Sequence, residues 1–357
     1  MMSLEARPEL SRAWVYLSPV LAVVLTMLSG ALLFGLLGYA PLAALSAYFI
    51  EPVSSLYGLA ELGVKATPIV LCAVGLALGF RAGVWNIGAE GQLTLGALGG
   101  GGMALVLYEV EGFWVLPVMA LGAMVAGMAW ASITALLRTR FNTNEILTSL
   151  MLVYVSLELL KYLVHGPWRD PDGMNFPESR LFHDAALLPV MLDDTRLHLG
   201  ALVALVAVGL AWLAFGRHML GFQLRVIGQA PRAARFAGFS EKGTVWFAML
   251  LTGALAGLAG MFEVAGPVGQ LMPTISPGYG FTAIIVAFLG RLHPIGVLLA
   301  GLLMALTYLG GENAQIVLNM PNAVTGVFQG LLLFYLLACD LLVRYRLRWH
   351  RSEEARP

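Results

Sequence analysis

The chain has 357 residues, of which 59% are hydrophobic and only 12% are charged, and its formal net charge is zero. Soluble domains carry about 25% charged residues, so the composition excludes an ordinary soluble protein, and the neutral charge gives nucleic-acid binding no support. Apolar stretches of bilayer-crossing length recur from Trp14 to Val343, which predicts one integral membrane domain.

About ten apolar runs, bounded by charged residues or by Gly and Pro clusters, predict the membrane spans. The runs are long and do not alternate as barrel strands do, so the spans should be helices and the fold all-α. The eighth run is short enough to be re-entrant. The predicted spans are residues 15–37, 59–80, 87–107, 114–137, 145–164, 197–216, 244–264, 279–290, 295–312 and 323–343.

The distribution of Lys and Arg predicts the orientation, because these residues accumulate on cytoplasmic loops. With the N-terminus inside, most of the 21 Lys and Arg residues fall on the cytoplasmic side. Those that fall outside are Lys65, Lys161, Arg169, Arg180 and Arg196. We therefore expect a multi-pass membrane protein with both termini in the cytoplasm.

This orientation divides the chain into a transmembrane domain and two tails. The tails are cytoplasmic and cover residues 1–13 and 344–357, of which the second is basic, and the membrane domain covers residues 14–343. Three longer stretches lie between spans. They are an outer loop at 38–58, an outer loop at 165–196 and an inner loop at 217–243.

The inner loop contains a sequence typical of a short capped helix. Pro231 suits a first helical position and Gly238 suits a C-terminal cap. Small side chains beside two arginines would permit close contact with another protein, whereas the alternative is an amphipathic segment lying on the membrane surface. The residues proposed for this contact are Pro231, Arg232, Ala233, Ala234, Arg235 and Gly238, with Ala237 on the same small face.

A second motif places polar side chains at the mouth of the third span. Asn86, Glu90 and Gln92 lie among glycines that permit an interrupted helix. Polar groups inside a membrane are costly and usually face a cavity or one another, and interrupted helices line substrate paths in transporters. We expect these three residues to line a path. The alternative is that the two amides tie helices together while the glycines allow close packing.

Four further polar residues are weaker candidates for the same path. Glu263 and Gln270 lie near the outer end of the seventh span, and Glu312 and Asn313 follow a pair of glycines at the end of the ninth. Each lies near a predicted membrane interface, where water could satisfy it.

Several activities lack the residues that they require. No lysine is preceded by the Gly of a phosphate-binding Walker loop, so we expect no ATP hydrolysis by that route. Cys72 and Cys339 lie apart in apolar runs, and the six histidines show no metal-ligand spacing. We predict no catalytic residues, no cofactor and no metal in this chain. An ion-driven secondary carrier remains an alternative, although such a carrier would not need a docking helix.

Four segments carry a resemblance to a known family. Residues 80–92, 225–238 and 283–296, together with the Gly310-Gly311 region, are similar to the permeases of the simple-sugar, branched-chain amino-acid and nucleoside branch of ATP-binding-cassette (ABC) importers. The stretch from Asn86 to Gln92 looks most like the nucleoside-type permeases. A simple-sugar permease of the ribose or galactose type is the alternative within this branch.

The resemblance implies a place in the bacterial plasma (inner) membrane, a fold, partners and a mechanism. The fold is the vitamin-importer-like (type II) ABC permease fold, in which a second permease, identical or paralogous, completes the pair. Two ABC ATPases bind ATP and Mg on the cytoplasmic side, and an extracytoplasmic binding protein delivers substrate. In such systems the short helix near residues 231–238 transmits ATPase closure to the permease, which works by alternating access.

Overall fold

A computed structural model of the protein describes residues 2–6, 12–321 and 323–349. The described chain is mostly helical, with one two-stranded ribbon. The strands are β1 (Met2–Ala6) and β2 (Tyr345–Trp349); the helices are α1 (Arg12–Leu36), α2 (Pro41–Phe49), α3 (Leu56–Arg81), α4 (Ala89–Val106), α5 (Val115–Phe141), α6 (Glu145–His165), α7 (Gly200–Arg217), α8 (Met219–Gln229), α9 (Pro231–Phe236), α10 (Glu241–Glu263), α11 (Tyr279–Leu289), α12 (Pro294–Leu318) and α13 (Ala323–Arg344).

Each predicted span corresponds to one helix, and the all-α membrane fold is confirmed. Within the described residues, seven helices are long and apolar enough to cross a membrane: α1, α3, α5, α6, α7, α10 with its C-terminal turn, and α12. The other three predicted spans are the glycine-rich α4, the short α11 and α13. With a rise of about 1.5 Å per residue, α11 is roughly 16 Å long, about half the thickness of a bilayer core.

The chain forms two compact units, of which the first comprises residues 1–55 and 306–357. Here α1 packs along α13, and the Tyr48 and Phe328 rings stack with centroids 4.7 Å apart. A Cβ on Gly310 would lie only 1.9 Å from the Tyr48 carbonyl oxygen, so glycine is required where α12 meets α2. Strands β1 and β2 pair antiparallel.

The second unit covers residues 56–305 and is built around α10, which packs against α3, α4 and α5. Close backbone contact between these helices depends on glycine. A Cβ on Gly96 of α4 would lie 2.1 Å from the Cα of Gly257 on α10, and one on Gly127 of α5 would lie 2.1 Å from the Gly253 carbonyl oxygen. Small residues allow such contacts, which stabilise membrane helix pairs through packing.

The crossing after α10 is half helix and half irregular chain. A π-helical turn, Val264–Val268, ends at Gly269, and the helical path resumes only after Gly278; both glycines have positive φ. Leu271 packs at Gly101 in the C-terminal half of α4, and Gly280 packs at the first turn of α4. The irregular segment and α11 therefore run alongside α4 in the opposite direction.

The predicted outer loop at 165–196 covers this irregular segment. Its backbone N–H groups at Ser179, Phe182 and Leu188 donate to the carbonyls of Leu271, Gly269 and Ala265 at 2.8–2.9 Å. Irregular backbone at membrane depth needs partners from the protein, and the loop supplies three of them. The loop is itself fixed to α3, because Arg196 Nε donates to the buried Glu61 carboxylate at 2.9 Å.

Helix bounds differ from the predicted spans in two regions. The outer loop predicted at 38–58 contains α2 and the first residues of α3, which the sequence analysis did not anticipate. The ninth span, predicted to end at 312, continues as α12 to Leu318. A polar side chain in this extra turn has a partner within the protein, because Asn313 Nδ2 donates to the Ala47 carbonyl at 2.7 Å.

Candidate functional site

The turn between α3 and α4 brings two of the predicted polar residues into mutual contact. Asn86 Nδ2 donates to Gln92 Oε1 at 3.0 Å, and Gln92 Nε2 donates back to Asn86 Oδ1 at 3.2 Å. The same Asn86 oxygen accepts from the Gly88 N–H at 2.9 Å. Both side chains are 1% exposed. The pair therefore fixes the irregular stretch 84–88 to the first turn of α4, and both amides have hydrogen-bond partners within the protein.

Glu90, the third residue of the motif, contacts a different helix. Its Oε2 accepts from the Gly280 N–H at 2.6 Å, and its carboxylate also hydrogen-bonds Ser276. A Cβ on Gly280 would lie 2.3 Å from the Glu90 nitrogen, so glycine permits this approach. A carboxylate at a helix N-terminus satisfies free N–H groups and complements the helix dipole. Glu90 therefore holds the start of α11 against α4.

The remaining predicted path residues lie elsewhere. Glu263 is the last residue of α10, and Gln270 Nε2 donates to Glu178 of the outer loop at 2.7 Å. Glu312 is exposed, and Asn313 contacts α2, both within the first unit. Of the seven predicted residues, Asn86 and Gln92 contact each other directly, and Glu90 lies beside them in the first turn of α4.

Two contact residues escaped the sequence analysis. Ser276 contacts the Glu90 carboxylate, and its Oγ also accepts from the Gly278 and Tyr279 N–H groups. The sequence Ser276-Pro277-Gly278 is typical of a turn that breaks a helix, and this signal could have identified it. Glu178, the partner of Gln270, carries no such local signal because 92 residues separate the two.

The α3–α4 turn is held in place by contacts with α6, α11 and the end of α8. Ile87 N–H donates to Ser149 Oγ at 3.1 Å, and Trp85 stacks on Phe288 with centroids 5.9 Å apart. A Cβ on Gly228 of α8 would lie 2.1 Å from the Arg81 carbonyl oxygen. The last turn of α8 therefore touches the turn that positions Asn86 and Glu90.

Directly after α8, the predicted short helix is present as α9. Pro231 occupies its first turn, and Gly238 follows its end with φ +80°. Arg232 and Ala233 are exposed, whereas Ala234 is only 2% exposed and faces the protein. The small face predicted from the sequence is therefore only partly exposed.

Two further contacts define the surface of α9. Arg235 forms a 2.8 Å ion pair with Glu241 at the start of α10. Phe236 was not singled out from the sequence, and its side chain is 95% exposed. A phenylalanine almost wholly exposed on a six-residue helix is the feature that a docking surface would require.

The residues just before α7 include a buried histidine. His198 is 2% exposed, and its Nδ1 accepts from the Gly200 N–H at 3.1 Å, at the entry to α7. Burial lowers the pKa of His198 to about 4, so the ring is neutral near pH 7. Across the described ranges, no group of His, Cys, Asp and Glu side chains could hold a metal ion.

Comparison with known proteins identifies the family to which this chain belongs. Residues 58–337 match the family described as the permease component of branched-chain amino acid transport systems. The chain belongs to this permease family. It is a membrane-spanning transport subunit of the ABC importer class, and the resemblance seen in the sequence is confirmed.

Three relatives illustrate the range of the family. The permease is 39% identical to a glucose ABC transporter permease protein of Haloferax volcanii, over 94% of this chain and 90% of that one. It is 30% identical to a guanosine ABC transporter permease protein of Bacillus subtilis, over 92% and 94%. It is 28% identical to a nucleoside ABC transporter permease protein of Lactococcus lactis, over 82% and 83%.

Proposed function

We propose that this permease carries nucleosides across the plasma membrane by alternating access, driven by a separate ABC ATPase. The observation that carries the proposal is the broken crossing at 264–289, which lies against α4 and is held there by Glu90. Broken helices of this kind line substrate sites near the bilayer midplane. In this proposal Asn86, Glu90 and Gln92 shape the path by fixing its walls.

The guanosine and nucleoside permeases among the relatives support a nucleoside as the substrate. A simple sugar is the second candidate, and a specific observation favours it: the relative that is 39% identical is named for glucose. Nucleosides contain a ribose, so a path that admits either ligand must present hydrogen-bonding groups to a sugar. The base is what distinguishes the two candidates.

Coupling is assigned to α9. Arg232 and Phe236 lie exposed on this helix, while the buried Ala234 seats it on the permease. The last turn of α8 precedes α9 and touches the Arg81 carbonyl. A push on α9 by the ATPase therefore has a short route through α8 to the α3–α4 turn and to Glu90.

The proposed assembly follows from the family. A second permease, identical or paralogous, completes the path; two ATPases bind ATP and Mg; and an extracytoplasmic binding protein docks on the face of the loop at 165–196. The subunit itself holds no cofactor in this scheme. Its termini and α9 lie on the cytoplasmic side, and the membrane is the bacterial plasma membrane.

The test is uptake into vesicles that contain this permease with its ATPase, second permease and binding protein. Labelled guanosine, adenosine and glucose are supplied separately, with ATP or with a non-hydrolysable analogue. ATP-dependent nucleoside uptake that excess glucose does not reduce is the expected result. Glucose uptake without nucleoside uptake would select the sugar alternative, and uptake that follows an ion gradient without ATP would overturn the mechanism.

A further inference from the structure

An apolar cavity of about 190 Å³ lies between α3, α7, α8 and α10. All thirteen of its lining residues are apolar, among them Leu78, Ala214, Phe215 and Leu224. Cavities lined in this way stay free of water. A dry apolar space of this size suits a stretch of hydrocarbon chain.

Basic side chains gather at one end of this cavity. The Arg81 guanidinium lies 4.0 Å from the centre of the Phe215 ring, which forms part of the wall. Arg225 follows the wall residue Leu224, and its charge acts on Arg81. The pKa of His293 is lowered mainly by partial burial and, to a smaller extent, by the positive charge of Arg81. Three basic groups from different parts of the second unit therefore lie close together.

Carboxylates that could neutralise these arginines are engaged elsewhere: Glu90 accepts from the Gly280 N–H, and the glutamates at the starts of α6 and α10 form ion pairs with other arginines. Glu145 pairs with Arg138 at 2.6 Å, and Glu241 pairs with Arg235 at 2.8 Å. In the described part of the chain, neither Arg81 nor Arg225 has an ion-pair partner. Like charges held together raise the free energy of the folded protein, and an anion from outside the chain would remove that cost.

We propose that this cavity and its arginines form a binding site for an anionic phospholipid. One acyl chain lies between α3, α7, α8 and α10, and the phosphate contacts Arg81 and Arg225. Planar guanidinium groups match phosphate geometry, and basic pockets between helices on the cytoplasmic side bind anionic headgroups. A lipid explains the apolar wall and the basic end together, whereas an acidic protein surface would leave the cavity empty. The choice of the cytoplasmic leaflet rests on the proposed orientation.

The test measures lipid retention by the full-length permease purified in detergent. Dioleoyl-phosphatidylglycerol and dioleoyl-phosphatidylcholine are added in equal amounts, and bound lipid is counted by native mass spectrometry. We expect phosphatidylglycerol to be retained at least fivefold more. In R225Q, and in R81Q with R225Q, that preference should fall to near one. R140Q removes an exposed arginine at the end of α5 and should retain the preference.

A second pair of variants tests the cavity. A214F places a ring in the cavity from α7 and should lower phosphatidylglycerol retention severalfold, whereas A201F adds the same ring at the other end of α7 and should not. Equal retention of the two lipids, or wild-type retention in R225Q and A214F, would overturn the proposal. Displacement of the lipid by inorganic phosphate alone would do so too.

These measurements need no ATP, ATPase or substrate. A failure of nucleoside uptake would therefore contradict the proposed function without affecting the lipid site, and loss of lipid preference would contradict only the site.

Discussion

At the scale of single residues, Glu90 shows how a polar group inside a membrane protein can have a mechanical role. The sequence predicted that it lines a path, and the structure places its carboxylate on the Gly280 N–H and on Ser276. Its contact partner lies 190 residues away in the chain. No local pattern encodes that distance, so the polar position was predictable and the contact was not.

Removing the Glu90 carboxylate should destabilise the permease more than it weakens substrate binding. In E90A the start of α11 loses the hydrogen bond from the Gly280 N–H, which is worth about 1 kcal/mol, and the thermal midpoint in detergent should fall. E90Q retains an acceptor oxygen and should fall less. E158A, at an exposed position on α6, is the control and should leave the midpoint unchanged.

Transport kinetics separate the two roles of Glu90. A positioning role predicts a lower maximal uptake rate in E90A with KM nearly unchanged, because the carboxylate contacts the protein rather than the substrate. A raised KM with an unaltered thermal midpoint would show instead that Glu90 touches substrate.

His198 should make the stability of the permease depend on pH. A histidine in an unfolded chain has a pKa near 6.5, and burial lowers that of His198 to about 4. Between about pH 6.5 and 4, His198 is therefore protonated in the unfolded chain but neutral in the folded chain. Stability is complete above about pH 6.5 and declines as the pH falls toward 4, by on the order of 3 kcal/mol.

The measurement is the thermal midpoint in detergent between pH 7.5 and 4.5. H198N offers an amide oxygen to the Gly200 N–H without titrating, so the slope should become shallower. H165N, at an exposed position at the end of α6, should keep the wild-type slope. Identical slopes in wild type and H198N would remove His198 as the cause.

At the scale of elements, helix positions were more predictable than helix contacts. Hydropathy located a helix for each predicted span because length and apolar composition are properties of a continuous stretch. Helix α2 escaped because it is only nine residues long, between Gly and Pro signals. Capping residues identified α9 correctly, yet the burial of Ala234 and the exposure of Phe236 depend on how α9 lies on its neighbours.

The short helix α9 provides the sharpest test at this scale. F236S should reduce the amount of ATPase that copurifies with the permease severalfold, because an exposed aromatic anchor is lost. The thermal midpoint of the permease alone should not change, since the side chain is 95% exposed. F113S is the matched control. Phe113 is 92% exposed just before the N-terminus of α5, and its replacement should leave ATPase binding intact.

An additional charge reversal addresses the predicted arginines. R232E combined with R235E should also release the ATPase if α9 is the coupling helix. Normal ATPase copurification in F236S and in the double arginine variant would exclude α9 as the docking element.

At the scale of the whole molecule, class and family could be predicted from the sequence, and the organisation into units could not. Composition predicted an all-α membrane protein, and the motifs at 80–92 and 225–238 indicated the permease family that residues 58–337 match. The two compact units and the pairing of β1 with β2 depend on contacts between distant residues. Hydropathy reports on a residue and its neighbours in sequence, so it carries no information on such contacts.

The hydrogen bonds between the outer loop and residues 265–271 have a consequence for biogenesis. The loop is synthesised before the irregular segment. Its backbone N–H groups are therefore already available as hydrogen-bond donors when that segment reaches the insertion machinery. The irregular segment lacks the internal hydrogen bonds of a helix, so its apolar side chains alone favour insertion only weakly. We expect deletion of residues 176–190 to leave the crossing at 264–289 uninserted while earlier spans insert normally. Protease protection of nascent chains in membrane vesicles would measure this, and a fully protected crossing in the deletion variant would refute it.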